Sequence, residues 1–233
     1  MQYLFGLRRN YVVIPALGLA YGRVPKVANS TIKKTMARAA GLEHLFPDEG
    51  YSKDDNWRGK APDVYLMTAR ELKQRFPDVY VFSFVREPLA RLASCYRSKI
   101  VRPKGQVPLS FAREGLSKQT TFPEFVRHAC ARRDWRCNIH YRAQSHILSH
   151  RGELIPDFVG RFETVREDWA TLVETMAGRG LELPMIPQRH GPKKPPQMQT
   201  GDLFDGDAAL MRMARARYAR DFDLFYPDAR SLT

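Results

Sequence analysis

Cysteine is scarce: Cys95, Cys130 and Cys137 are the only three in 233 residues, and no two of them form a C-x-x-C pair. An odd count without paired spacing argues against a disulfide framework and fits a reducing compartment, so the chain is expected in the cytoplasm. No run of about 18 apolar residues is available to span a bilayer. The short apolar stretch YVVIPALGLA, just beyond Arg8 and Arg9, has the look of a signal-peptide core. It runs straight into a candidate anion-binding turn that cleavage would damage, and it reads instead as strand-forming. The histidines and cysteines lack a compact zinc spacing, so no metal ion is expected. Also absent are Gly/Ser-rich linkers, low-complexity runs and internal repeats. A single domain over residues 1–233 is therefore expected, with the Pro-rich basic segment 187–202 an exposed loop.

Negative charge is the other shortage. Asp and Glu number 25 against 38 Lys and Arg, a formal net charge of +13. The surplus favours anionic partners: nucleic acid, acidic glycan, a membrane surface or a polyanionic cofactor. A solvated basic surface accounts for most of these residues whatever the function. Basic and aromatic residues do not repeat together as they do in nucleic-acid modules, so nucleic acid is not an expected partner.

What is present is an alternation of strands and helices. YVVIPALGLAYGRV is an apolar, β-rich approach to Pro25, and a helix is expected from Ser30 to about Ala40, stopped by Gly41. PDVYLM is a short strand, followed by a helix in TARELKQRF with Thr68 as N-cap and Glu71 completing a capping box. Val79 to Val85 is β-branched or aromatic almost throughout, as a buried parallel strand should be. It ends in Arg86-Glu87-Pro88, and LARLASCYRSKI then reads as helical. Further helices are expected in TTFPEFVRHACARR, capped by Thr121, and in REDWATLVETMAGRG after the short strand DFVGRFE. DAALMRMARARYARDFDLF reads as one long amphipathic helix. This pattern predicts an α/β layered fold around a mainly parallel sheet, in which ligands sit at the carboxyl ends of strands. Lys26 and Arg86 both fall at such an end.

RVPKVANSTIKK, residues 23–34, has the order of a phosphate-binding loop without its glycines. Pro25 fixes the turn, and Asn29, Ser30 and Thr31 lie at a helix start. Free amides and the helix dipole favour an anion there. Ser30 and Thr31 add hydroxyls, and Lys26 is a mobile point charge able to fold over the bound group. The stretch is equally an ordinary helix start, with Asn29 or Ser30 as cap and Lys26 solvated. In SFVREPLARLASCYRSK, Arg86 ends a buried strand where a guanidinium fork suits a phosphate monoester, and Ser94 lies on the helix that follows. The alternatives are a carboxylate partner for Arg86, Glu87 or Asp78, and a merely polar helix face for Ser94.

Taken together, these stretches resemble the sulfotransferase family. VPKVANST is similar to its 5′-phosphosulfate loop and FVREPLARLASCY to its 3′-phosphate motif, with an arginine after a strand and a serine eight positions on. NIHYRAQSHIL followed by PDFVGRFETVREDW, and the terminal ARYARDFDLFYP, narrow the resemblance to the carbohydrate sulfotransferase branch, sulfotransferase family 2. It extends over residues 11–227 in the expected order, and four ordered motifs are more specific than any one.

The resemblance implies a three-layer P-loop-like fold and transfer of a sulfuryl group from 3′-phosphoadenosine 5′-phosphosulfate to an acceptor hydroxyl. Adenosine 3′,5′-bisphosphate would be the product, and no metal is needed. Lys26 matches the catalytic lysine. Pro25 to Thr31 (Pro25, Lys26, Val27, Ala28, Asn29, Ser30 and Thr31) would hold the 5′ end, and Arg86 and Ser94 the 3′-phosphate, assisted by Arg91. His140 aligns with a histidine in an H-W-x-P-Q-like stretch and is the candidate general base, with a structural histidine beneath an acceptor cleft as the alternative. Tyr141 stands where tryptophan is usual and Ala143 where proline is usual. His128 and His146 are further base candidates. Glu163 either orients the base or is a buried carboxylate paired with Arg161. RYARDFDLF is expected to pack in the core. The acceptor would be a hydroxyl on a glycan, glycolipid or small molecule, faced by loops near residues 41–62, 100–120 and 187–202, with Lys193 and Lys194 drawing in an acidic one. Two rival readings remain: a P-loop kinase, including an adenylyl-sulfate kinase, disfavoured by the missing glycines, and a non-catalytic polyanion-binding domain.

Overall fold

Alternating polar and apolar residues set the faces of a sheet, and capping residues set where helices begin. The computed structural model describes residues 9–45, 63–187, 203–204 and 206–231, so most of segment 187–202, with Lys193 and Lys194, and most of loop 41–62 lie outside the described residues. In chain order the elements are β1 (Tyr11–Ile14), β2 (Leu19–Gly22), α1 (Asn29–Ala39), β3 (Tyr65–Met67), α2 (Ala69–Arg75), β4 (Tyr80–Val85), α3 (Pro88–Tyr96) and α4 (Leu109–Ala112). They continue with α5 (Phe122–Ala131), α6 (Gln144–Leu148), β5 (Ser149–His150), β6 (Glu153–Leu154), β7 (Phe158–Arg161), α7 (Val165–Ala177), α8 (Ala208–Arg217) and α9 (Ala219–Phe225). They fall into two compact units, residues 1–85 with 147–188, and residues 86–146 with 189–233.

The first unit contains a five-stranded sheet in the order β3-β1-β2-β4-β7. β1 is antiparallel to both β2 and β3, whereas β2, β4 and β7 pair in parallel. The sheet is thus mainly parallel with one reversed strand, within the α/β class expected. That reversal corrects the reading of YVVIPALGLAYGRV as a single approach. Pro15 opens a short 3-10 turn, Gly18 closes it at φ 57°, and the chain doubles back as a hairpin. Only glycine adopts that left-handed backbone without steric cost.

Register divides the side chains between two faces. Tyr11, Val13, Ala20, Met67 and Val81 pack with Leu72 of α2 and with Ile155 on one face. On the other, Phe82 and Phe84 meet Trp169 of α7, with ring centroids 5.9 and 6.0 Å away. The Trp169 indole donates to Pro184 O at 3.0 Å. Within this unit the layers are therefore helix, sheet, helix. Gly160, paired with Phe84, leaves room for that ring; a Cβ there would overlap it.

Local rules hold well at helix ends. Both expected caps form full capping boxes, Thr68 with Glu71 and Thr121 with Glu124. Just beyond helix α1, Gly41 turns left-handed at φ 68°, with Leu42 N donating to Ala37 O at 2.7 Å and Gly41 N to Arg38 O at 3.0 Å, a Schellman closure.

The second unit is helical. Tyr96 of α3 lies against Phe122 and Phe125 of α5, with centroids 5.2 and 5.7 Å apart, and Phe122 against Phe204 at 5.1 Å. Helix α3 continues into a π-helical turn at Arg97–Val101. The expected single C-terminal helix is broken at Tyr218, where φ is −108° and ψ 20°. The buried Tyr218 hydroxyl donates to Tyr141 O at 2.6 Å, a tertiary bond that outweighs helical continuity.

Two outcomes are expected from this packing. Gly160→Ala should destabilise the chain by about 1–3 kcal/mol through overpacking against Phe84, read as a lowered thermal midpoint. Gly105→Ala, where an added Cβ meets nothing within 4 Å, should leave the midpoint unchanged. The Thr68 and Thr121 amides hold Glu71 and Glu124 below the ordinary carboxylate range. A depressed folded value means that this stabilisation is complete above the ordinary glutamate pKa and is lost as pH falls through the lower folded value. Thermal midpoints measured against pH should show that acid loss shrinking when both residues become glutamine.

Candidate active site

The turn after β2 is built by its neighbours in the core. Val24 and Val27 are fully buried and pin the chain on either side of Pro25 and Lys26. Arg23 is held to the preceding segment by its amide, 2.9 Å from Asn10 O, and by its guanidinium on the Asn10 and Arg9 carbonyls. Lys26 and Ala28 both have positive φ, 78° and 62°. For residues bearing a Cβ this costs roughly 1–2 kcal/mol each. Alternation of φ sign through residues 26–28 turns successive amides toward one side, the geometry of an anion-binding nest.

Helix α1 begins directly behind this nest. Its first hydrogen bonds run from Thr31 N and Ile32 N to Ala28 O at 2.8 and 3.1 Å, so the ladder begins with Thr31 and the preceding amides lie ahead of it. Asn29 Oδ1 is buried without a hydrogen-bond partner. Carboxamide N and O are assigned by their surroundings, and a flip puts an NH2 donor at the same place, which is what an anion in the nest would require. Val27 contributes only main chain, since its side chain is in the core, while Ser30 is exposed and Thr31 half-buried.

Arg86 and Ser94 belong to the second unit. Glu87, a rival partner for Arg86, caps α3: its carboxylate accepts from Ala90 N at 2.5 Å. Asp78, the other, is exposed. Ser94 lies on α3, seven residues beyond its cap Glu87, and is half-buried. Arg86 is gripped by its main chain: its N–H donates to Gln144 Oε1 at 2.9 Å, and Gln144 Nε2 donates to its carbonyl at 2.8 Å. Arg91, expected to assist at a phosphate, is 1% exposed and directs its guanidinium at Arg142 O, 2.9 Å, and Ile139 O, 3.2 Å. It holds one carbonyl just before His140 and another two residues after it.

His140 Nδ1 lies 2.8 Å from Asn138 Oδ1, which also accepts the His140 amide at 3.2 Å. A carbonyl oxygen can only accept, so Nδ1 carries a proton, and in the neutral form of the ring the lone pair lies at Nε2. That is the tautomer a general base needs. His128 is otherwise engaged: its Nε2 is 3.2 Å from Glu114 Oε2 and 3.3 Å from the Tyr141 hydroxyl, which itself donates to Glu114. His146 is exposed on α6. Glu163 is exposed, which removes its reading as a buried carboxylate.

Both departures from the H-W-x-P-Q-like pattern are used. The Tyr141 hydroxyl has Glu114 as acceptor, and Ala143 N–H, which proline would lack, donates to Asp134 Oδ1 at 2.9 Å. Asp134 is also clasped by Arg217, with N–O distances of 2.6 and 3.3 Å. Burial pushes the Cys130 and Cys137 thiols up, so neither offers a thiolate nucleophile. Among the described residues no three His, Cys, Asp or Glu side chains gather as metal ligands, and no helix is long and apolar enough to cross a membrane. Asn138, Gln144 and Asp221 were not singled out in the sequence; only their place inside the NIHYRAQ and RYARDFDLF motifs marks them.

Comparison with known proteins gives a consistent result. Carbohydrate sulfotransferase 14 of Homo sapiens is 30% identical over 236 residues, covering 95% of this chain and 61% of that protein. Carbohydrate sulfotransferase 8 of Homo sapiens is 24% identical over 225 residues, covering 89% and 51%. Carbohydrate sulfotransferase 11 of Rattus norvegicus is 27% identical over 172 residues, covering 64% and 48%. The chain spans about half to three-fifths of the length of these curated relatives. No solved structure matches. A family model for sulfotransferases matches residues 9–227, nearly the whole chain, which therefore belongs to the sulfotransferase family.

Proposed function

We propose that the chain transfers a sulfuryl group from 3′-phosphoadenosine 5′-phosphosulfate to a hydroxyl on a carbohydrate. The observation that carries this reading is the glycine-free turn at residues 25–31. Two left-handed residues are held there by buried valines, with an unpartnered Asn29 oxygen at the start of α1. Such a turn suits a compact 5′-phosphosulfate. A triphosphate loop must wrap a longer chain and set a hydroxyl on magnesium, for which it needs glycines.

In this reading the amides of Val27 to Thr31 hold the 5′ end, joined by the Asn29, Ser30 and Thr31 side chains, and Pro25 shapes the turn. Lys26 neutralises charge on the bridging oxygen as its bond to sulfur breaks. Arg86 and Ser94 receive the 3′-phosphate, and Arg91 contributes by holding the peptides around His140. The acceptor oxygen forms the new bond to sulfur while its proton passes to His140 Nε2, and adenosine 3′,5′-bisphosphate leaves. A transfer of this kind needs alignment and charge stabilisation more than covalent help from the protein. The carbohydrate acceptor is supported by the names of the relatives, and the net charge of +13 suits an acidic one. No step requires a metal.

Thermal shift tests the donor assignment: adenosine 3′,5′-bisphosphate should raise the midpoint without magnesium and well beyond adenosine triphosphate. Stabilisation by magnesium triphosphate instead would favour a kinase, and equal stabilisation by heparin or DNA, with none by the bisphosphate, a polyanion-binding domain. Kinetic variants test the chemistry. Lys26→Ala should lower turnover roughly 100- to 1,000-fold with far less loss of bisphosphate affinity. His140→Ala should lower it roughly 100- to 10,000-fold with donor affinity near that of the wild type. Equal losses of turnover and product binding in Lys26→Ala would remove its transition-state role.

A further inference from the structure

The amide of Gln144 pairs with both main-chain groups of Arg86, as a neighbouring strand would, at 2.9 and 2.8 Å. Gln144 is fully buried and has its own anchor. Its backbone N–H donates to Asp221 Oδ2 at 2.8 Å, and Ser145 N–H donates to Asp221 Oδ1 at 2.8 Å. Asp221 is likewise fully buried. A carboxylate is costly to bury unless its oxygens find donors, and here each receives an amide from the start of α6. Three residues before Asp221, the Tyr218 hydroxyl takes the carbonyl of Tyr141 at 2.6 Å. The C-terminal segment thus grips residues 141–145 at two points, and residue 144 grips Arg86.

We infer that Gln144 and Asp221 are positioning residues for Arg86: the C-terminal RYARDFDLF segment sets the direction of the arginine that receives the 3′-phosphate. The inference rests on the proposed role of Arg86. A guanidinium fork meets a phosphate at two points only when its stem leaves the backbone in a fixed direction, and fixing the N–H and C=O of one residue fixes its φ and ψ. Glutamine suits this role because its side chain carries a donor and an acceptor at the spacing of a peptide group. A segment expected only to pack thereby acquires a part in nucleotide binding.

Binding titrations of the full chain with adenosine 3′,5′-bisphosphate and adenosine 5′-monophosphate test this. Gln144→Met keeps the side-chain shape and removes both hydrogen bonds. It should weaken the bisphosphate roughly tenfold and leave the monophosphate unchanged. Asp221→Asn should act in the same direction by a few-fold, and it supplies the comparison if Gln144→Met does not fold. In an Arg86→Ala background Gln144→Met should add nothing, since both act on one contact. If Arg86→Ala weakens the bisphosphate and neither positioning variant does, or if they weaken both nucleotides equally, the inference is overturned. If Arg86→Ala itself leaves bisphosphate binding unchanged, the proposed 3′-phosphate site fails first.

Discussion

Parallel pairing of β2 with β4 is the constraint on which the first unit depends. Leu19 to Gly22 lie opposite Tyr80 to Ser83, so both strands run toward the same edge of the sheet. The turn that carries Lys26 leaves one of them, and Val85, the residue before Arg86, ends the other. Gly22 is part of what permits the pairing at that edge, because a Cβ there would fall 2.9 Å from the Leu148 side chain and 3.1 Å from the Tyr11 ring. Strand ends of parallel sheets gather loops and helix starts, and chemistry collects there for that reason.

Much of this was legible from residue types because it follows local rules. Capping boxes at Thr68 and Thr121 need only a hydroxyl and a glutamate three residues on. The run Val79 to Val85 has no polar face and could only be buried on both sides. The hairpin at Pro15–Gly18 was equally present in the sequence, but two apolar strands separated by so short a turn read as one. The break at Tyr218 was not legible, since Ala and Arg on either side both favour a helix. It depends on a hydrogen bond to Tyr141, 77 residues away.

The candidate site divides in the same way. Charged and hydroxyl residues made the turn and the arginine candidates, because such chemistry is carried by type and order. The left-handed backbone of Lys26 and Ala28 left no trace, as neither residue type favours that conformation. The groups that orient others, Asn138 toward His140 and Gln144 toward Arg86, are ordinary amides whose meaning comes only from what they face. Arg91 looked like an anion ligand by charge, yet the two carbonyls it meets make it a brace.

Lysine at position 26 works against the backbone it occupies. Glycine would relax the turn and make folding easier there, but it would take away the cation. Stability and charge are thus opposed at a single residue, and no exchange there improves both. A screen for heat-resistant versions of this chain would therefore select, at that position, proteins that keep their shape and lose a positive charge.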